Sequence, residues 1–263
     1  DEAMRNVASV GATPHAITDC LCFGNPEKPH QMWEFVEGTR GVSDACNAIM
    51  LKDYKECPTP IIAGNVSLYN ESKNGAIPPS PIVSCLGRLK NIDNVVPMHF
   101  QNPDSNILMV GERKDELGGS VFYKTMGELG KNVPKPNLTE AKHQIYAVTD
   151  CADQKLISSC HDISDGGIAV AISEMSFGNN VGCSVNIECT LESYKTLFSE
   201  SGGFVMEVSK KNTLKVEKIF DEYNLSMFLI GKTGGDRIKI NEEINVFMQD
   251  AKREWRNGLR DKL

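Results

Sequence analysis

The run Cys160-His161-Asp162-Ile163-Ser164-Asp165-Gly166-Gly167 sets two carboxylates and a hydroxyl just before Ile168-Ala169-Val170-Ala171-Ile172-Ser173-Glu174-Met175, a stretch with helical composition. The free N–H groups at a helix start attract anions, and paired glycines let a phosphate approach the backbone closely. Carboxylates beside such a cradle repel a phosphate unless a divalent cation lies between them. Oxygen-only Mg²⁺ sites on nucleotides follow that logic. An ordinary Ser or Asp cap with two turn glycines is the competing reading of these eight residues.

A second string, Gly64-Asn65-Val66-Ser67-Leu68-Tyr69-Asn70-Glu71, follows the apolar Pro60-Ile61-Ile62-Ala63. Gly64 offers close backbone approach, Asn65 a neutral oxygen ligand and Ser67 a hydroxyl, groups suited to phosphate, Mg²⁺ and a polar substrate in turn. A plain turn explains the same residues, since Asn and Ser are common in turns. Upstream, Thr18-Asp19-Cys20-Leu21-Cys22-Phe23-Gly24-Asn25-Pro26 ends a strand in a Gly-Asn-Pro turn and leaves Asp19 as a nucleotide contact or a metal-side carboxylate. The nine cysteines form no C-x-x-C pair, and their odd number cannot pair completely. Small buried thiols in a reducing compartment are therefore expected, rather than zinc or disulfides. The five histidines form no metal or triad pattern.

These motifs need a scaffold, and the chain of 263 residues is long enough for one large domain or two modest ones. With 40% apolar and 24% charged residues it has the composition of a globular protein. A formal charge of −7 without a dense Lys/Arg stripe argues against nucleic acid as a partner. No window approaches the ~18 uninterrupted apolar residues that span a bilayer. The first residues lack a basic segment followed by an apolar core, so no membrane or secretory route is indicated and a cytoplasmic location is expected. Apolar periodicity predicts strands over 14–21, 60–63, 82–89, 107–111, 181–187, 203–208 and 227–231. Helices are predicted over 29–51, from a Thr139 cap to 158, over 166–177, 214–223 and 242–259, with 117–120 opening a further one. An Asn/Asp/Pro-rich linker over 91–106 divides two units. Strands and helices mix without strict βαβ alternation, which predicts an α+β fold. The expected division is 1–100, 105–235 and a tail, 236–263, carrying an amphipathic helix.

Arg5-Asn6-Val7-Ala8-Ser9-Val10-Gly11-Ala12, Thr18 to Pro26, Gly64 to Glu71, Leu117-Gly118-Gly119-Ser120 and His161 to Gly167 together resemble phosphoribosylformylglycinamidine synthase. The similarity is to the C-terminal half of its synthetase subunit, in the form that works with separate partners, and it runs over nearly the whole chain. The Asp-Ile-Ser-Asp-Gly-Gly string is shared by a wider AIR synthetase-like superfamily and does not choose among its members. The resemblance implies an N-terminally truncated AIR synthetase-like N-domain, supplying half of a barrel-forming sheet, and then an AIR synthetase-like C-terminal domain. It also implies an ATP-dependent ligase that turns formylglycinamide ribonucleotide into its amidine with glutamine-derived ammonia. ATP and Mg²⁺ would be the cofactors. By matching motifs, Asp19 and Gly64 would contact ATP, Asn65 would bind Mg²⁺ and Ser67 would touch substrate. Glu2, Asn6 and Asp162 would match metal ligands, and Ser164 a nucleotide contact, at a second, pseudo-symmetric site. The family's catalytic residues belong to the N-terminal half, so this chain alone is expected to be inactive. The implied partners are that half, a glutaminase subunit and a small accessory subunit, and an isolated chain would have an open sheet on which a second copy could pair. Two other readings stand beside this one: another ATP-using member of the superfamily, and a non-catalytic nucleotide-binding scaffold. Two departures from the family pattern are an extra stretch at 51–58, most simply a solvated loop, and Cys22 where relatives often carry Asn.

Overall fold

The computed structural model describes residues 1–260. The chain opens with a helix, α1 (Glu2–Ser9), and continues through β1 (Thr13–Cys22), α2 (Pro29–Ala48), β2 (Ile61–Ser67), a short hairpin β3–β4 (Glu71–Ser72, Gly75–Ala76) and β5 (Ser80–Arg88). These strands form a three-stranded sheet in the order β2-β1-β5, with β1 parallel to β2 and antiparallel to β5.

The second unit contains β6 (Asn106–Val110), α3 (Val121–Thr125), α4 (Leu138–Asp153), β7 (Ser159–Asp162), α5 (Gly167–Phe177), β8 (Cys183–Val185) and α6 (Ser193–Phe198). It continues through β9 (Phe204–Val208), α7 (Thr213–Glu222), β10 (Met227–Thr233), β11 (Arg237–Ile240), β12 (Ile244–Phe247) and α8 (Met248–Asn257). Its seven strands join in the order β12-β11-β8-β10-β6-β9-β7. The fold is α+β, as expected.

Every residue of β6 and β9 is buried, so both faces of this sheet are covered. Period-2 alternation divides their side chains between two cores. Leu108, Val110, Phe204, Met206 and Val208 pack with Ile145 and Val148 of α4 and Val216 and Phe220 of α7. Ile107, Met109 and Val205 pack with Ile168, Ile172 and Met175 of α5 and Met248 of α8. The first core also takes Met4 and Ala8 of α1 and Ile17 of β1, and so binds the two sheets together.

Several boundaries differ from the sequence expectation. The cap of α4 is Asn137, whose side-chain oxygen accepts the Glu140 N–H at 3.2 Å, and not Thr139. That helix stops at Asp153, because Lys155 takes a left-handed backbone conformation. Residues 244–247 are a strand rather than the start of a terminal helix: Ile244 to Phe247 pair with β11, which went unpredicted, and α8 begins only at Met248. Gly64 to Ser67 lie within β2 instead of in a turn after it.

The extra stretch at 51–58 is anchored, not merely solvated. Leu51 is buried, and Lys52 Nζ donates to Tyr146 O (2.7 Å) and Thr149 Oγ1 (2.9 Å) while pairing with Asp150 at 2.7 Å, all on α4. The linker at 91–106 is fastened as well. Phe100 is fully buried, and Glu207 on β9 accepts the N–H groups of Gln101 and Asn102 at 2.6 and 3.0 Å.

Candidate functional site

Glu2 and Asn6 stand one turn apart on α1 and share a face with the intervening Arg5. Across from them, β7 ends at Asp162, held in register by Asp162–Phe204 pairing and by Ile163 N–H donating to Gly203 O at 2.8 Å. Gly166 and Gly167 then reverse the chain with φ of 76° and 68°, a conformation that disfavours residues with a Cβ. A Cβ at Gly167 would also lie 2.7 Å from Leu197 O. The reversal lets α5 start directly behind the acidic turn, with its apolar face packed into the second core.

Asp162 is gripped from several sides. Arg5 Nη1 donates to its Oδ2 at 3.3 Å and to Ile163 O at 2.7 Å, and both side chains are nearly buried. Asn6, with its amide nitrogen toward Asp162, donates to both carboxylate oxygens, at 2.9 and 3.0 Å. Turned by half a rotation, the same amide would set its oxygen beside theirs, a donor set suited to a hard cation. Burial alone would raise the Asp162 carboxyl, but hydrogen bonding from His161 and the Arg5 charge hold it below its ordinary value. Burial likewise disfavours the His161 imidazolium. Hydrogen bonds to Asp162 and to Glu174, the latter at 3.1 Å, outweigh that and lift it to about 9. The Glu2 carboxyl is raised by burial and by neighbouring Asp162 and Asp165, against the pull of Arg5.

Beside this cluster lies an open cavity of about 300 Å³, whose lining includes Glu2, Arg5, Ser164, Asp165 and Glu200 together with Lys114 and Lys135. Ser164 and Asp165 also border a second cavity of about 250 Å³ that reaches Asp162 and His161. The structure thus brings together four of the residues singled out in the sequence: Glu2, Asn6, Asp162 and Ser164. Among the described residues no three His, Cys, Asp or Glu side chains form a metal-binding group.

The other four residues do not form one cluster. Asp19 pairs with Gly64 across β1 and β2, and a Cβ on Gly64 would lie 2.8 Å from Asp19 Oδ1. Gly64 therefore leaves the space that the Asp19 carboxylate occupies. Asn65 and Ser67 pair with Cys20 and Cys22, and alternation turns them to the opposite face of the sheet. The Ser67 hydroxyl donates to Asn70 Oδ1 at 3.1 Å, and Asn70 in turn donates to Phe23 O and Ser67 O. This network fixes the strand end. Cys20 and Cys22 lie between these groups with their sulfurs 3.7 Å apart.

Four side chains of this arrangement were given no role by the sequence reading. Arg5 was detectable as a cation in phase with Met4 and Ala8 on the buried stripe of α1. His161 and Glu174 are thirteen residues apart, and no local spacing signals their contact. Glu200, in the loop before β9, reaches the glycine turns only through tertiary structure.

Residues 1–89 match the family model of AIR synthase related protein, N-terminal domain, and residues 102–241 that of AIR synthase related protein, C-terminal domain. The phosphoribosylformylglycinamidine synthase subunit PurL of Methanothrix thermoacetophila is 39% identical over 269 residues, covering 100% of this chain and 35% of that protein. The PurL subunit of Thermoplasma volcanium is 35% identical over 267 residues, covering 98% and 33%. The chain spans about a third of the length of the curated relatives it matches. Among solved structures, Thermotoga maritima PurL superposes with a TM-score of 0.71 in complex with FGAR, at 18% identity over 95% of this chain and 41% of that one. Its complex with ATP gives 0.68 at 19% identity, over 95% and 39%, and the PurLQS structure gives 0.69 at 18% identity, over 94% and 39%. At such identities the likeness concerns the fold. Matched by family models in both of its units and sharing this architecture, the chain belongs to the AIR synthase related protein family.

Proposed function

We propose that this chain forms the C-terminal third of a synthetase subunit that converts formylglycinamide ribonucleotide, ATP and ammonia into the amidine, ADP and phosphate. The observation that carries this reading is similarity along the whole chain to curated PurL subunits. It also fits the relative from Thermotoga maritima, known in complexes with ATP and with FGAR.

An amide carbon is a poor electrophile. Transfer of the ATP γ-phosphoryl group to the amide oxygen creates a leaving group. Ammonia then adds to the carbon, and the C–O bond breaks to release inorganic phosphate and leave the amidine. Catalysis of such a sequence rests on positioning and on charge stabilisation. In this reading Asp19, with Gly64 keeping its space clear, accepts hydrogen bonds from the nucleotide. The Ser67 hydroxyl, held at the strand end by Asn70, contacts the ribonucleotide. Asn65 would hold a Mg²⁺ there, as Glu2, Asn6 and Asp162 would at the second cluster, where Ser164 would meet nucleotide. The chemistry a Mg²⁺ held there would supply is neutralisation of phosphate charge.

Because Asp19 and Ser67 face opposite sides of one sheet, they would not line one pocket of this chain, and a second unit would have to complete the surroundings of each. The outer face that carries Asn65 and Ser67 also exposes Ile82 and Leu86, each 57% accessible, which suits burial against the corresponding sheet of the longer subunit's first half. A glutaminase subunit and a small accessory subunit would deliver ammonia, consistent with the existence of a PurLQS assembly. In the assembled enzyme, Ser67→Ala should raise KM for formylglycinamide ribonucleotide about tenfold while leaving KM for ATP within about twofold, as loss of one substrate hydrogen bond requires. Equal kinetics for the two proteins would remove Ser67 from the substrate site.

A further inference from the structure

The α5 turn was read from sequence as a set of free N–H groups awaiting a phosphate. In the structure its first donor is engaged. Gly166 N–H donates to Glu200 Oε1 at 2.9 Å, and the same oxygen accepts Val121 N–H at 2.8 Å. Val121 follows the Gly118-Gly119-Ser120 turn, in which Ser120 Oγ caps α3 by accepting the Tyr123 N–H at 3.2 Å. One carboxylate oxygen therefore ties together the two glycine turns, which are 45 residues apart in sequence (166 − 121). Next to it, Ser201 Oγ donates to Glu116 Oε2 at 2.8 Å, and Glu116 Oε1 accepts the Lys135 N–H at 3.2 Å. Residues 116, 135, 200 and 201 all line the 300 Å³ cavity.

We propose that Glu200 is a positioning residue for this cavity, clamping the turn at 118–121 to the turn at 164–167 so that Ser164 and Asp165 are held in place for a nucleotide phosphate. The inference rests on the nucleotide reading of the cavity given above. Charge-assisted acceptors of two backbone N–H groups are strong and geometrically specific. Without Glu200, both donors turn to water and the turns lose their common anchor. An amide oxygen at position 200 can accept the same two bonds, so Glu200→Gln should preserve the clamp, whereas Glu200→Ala removes it.

The test combines amide hydrogen exchange on the ligand-free chain with calorimetric titration by Mg-ADP, for the unsubstituted chain and both variants. The clamp predicts that exchange at Gly166 and Val121 rises at least about tenfold in E200A and stays within about threefold in E200Q. It also predicts that Mg-ADP affinity falls about tenfold in E200A and recovers in E200Q, one broken charged hydrogen bond being worth roughly that much. Unchanged exchange at either amide in E200A overturns the clamp. Tighter Mg-ADP binding by E200A also overturns it, since Glu200 would then be competing with phosphate for the N–H groups. If the unsubstituted chain shows no Mg-ADP binding, the nucleotide reading of the cavity fails, while the exchange data still judge the clamp.

Discussion

At the scale of single residues, Asp162 gathers the charges of the second cluster. Its carboxylate is buried beside Arg5, His161 and Asn6, and it stays ionised because those neighbours offset the cost of burial. Asp162→Asn keeps the shape and removes the charge. It should weaken Mg-ADP binding at least about tenfold, as loss of a charged ligand to a divalent cation does. Calorimetry giving equal affinity for the two proteins would take Asp162 out of any metal role. Asp162 and Ser164 stand out locally, in an acidic turn before paired glycines, whereas Glu2 and Asn6 enter only through the family resemblance; the structure sets all four near one another. Asp19 and Ser67 were singled out as residue types, but linear motifs carry no face. Only the β1–β2 register shows that they point to opposite sides. His161 with Glu174, and Glu200, meet their partners only through contacts between distant segments, and such contacts leave no local spacing to find.

At the scale of elements, periodicity located nearly every strand and helix of the interior, because short apolar runs next to glycines mark them: residues 107–110 in β6, 204–206 in β9 and 168–172 in α5. It failed where pattern and length conflict. The stretch at 242–259 shows helical spacing, yet its first part adds a strand to a sheet edge, where hydrogen bonds to β11 override a weak helical preference. The stretch at 51–58 read as solvated because it is rich in Lys, Asp and Glu. Its one deeply engaged cation, Lys52, meets three acceptors on α4, and burial lowers its pKa against the opposing pull of Asp150. Lys52→Met leaves Tyr146 O and Asp150 without this donor and should cost roughly 1–3 kcal/mol. Urea denaturation reads that cost. A midpoint unchanged from the parent would mean that the loop is not anchored through Lys52.

At the scale of the whole molecule, the buried thiols link stability to pH. Burial raises Cys151 to about 12 and Cys183 to about 11, and pushes Cys160 well above its ordinary value. Unfolded chains release these protons near the ordinary thiol value of 9.0, while the folded protein retains them. Stability is therefore fully present below pH ~9 and lost as pH rises toward the folded values, by about 1.4 kcal/mol per pH unit for each thiol. A flat unfolding free energy from pH 8.5 to 10.5 would contradict this burial. The same scale holds the account's central claim, that the chain is one part of a composite active site, with Asn65 and Ser67 on an outer sheet face that is apolar around Ile82 and Leu86. The direct measurement mixes this chain with a separately produced polypeptide supplying the remaining two thirds of a PurL subunit, then adds formylglycinamide ribonucleotide, Mg-ATP and ammonium and follows ADP and amidine. The account predicts turnover in the mixture and none from either polypeptide alone. A stable complex that forms no amidine would contradict it.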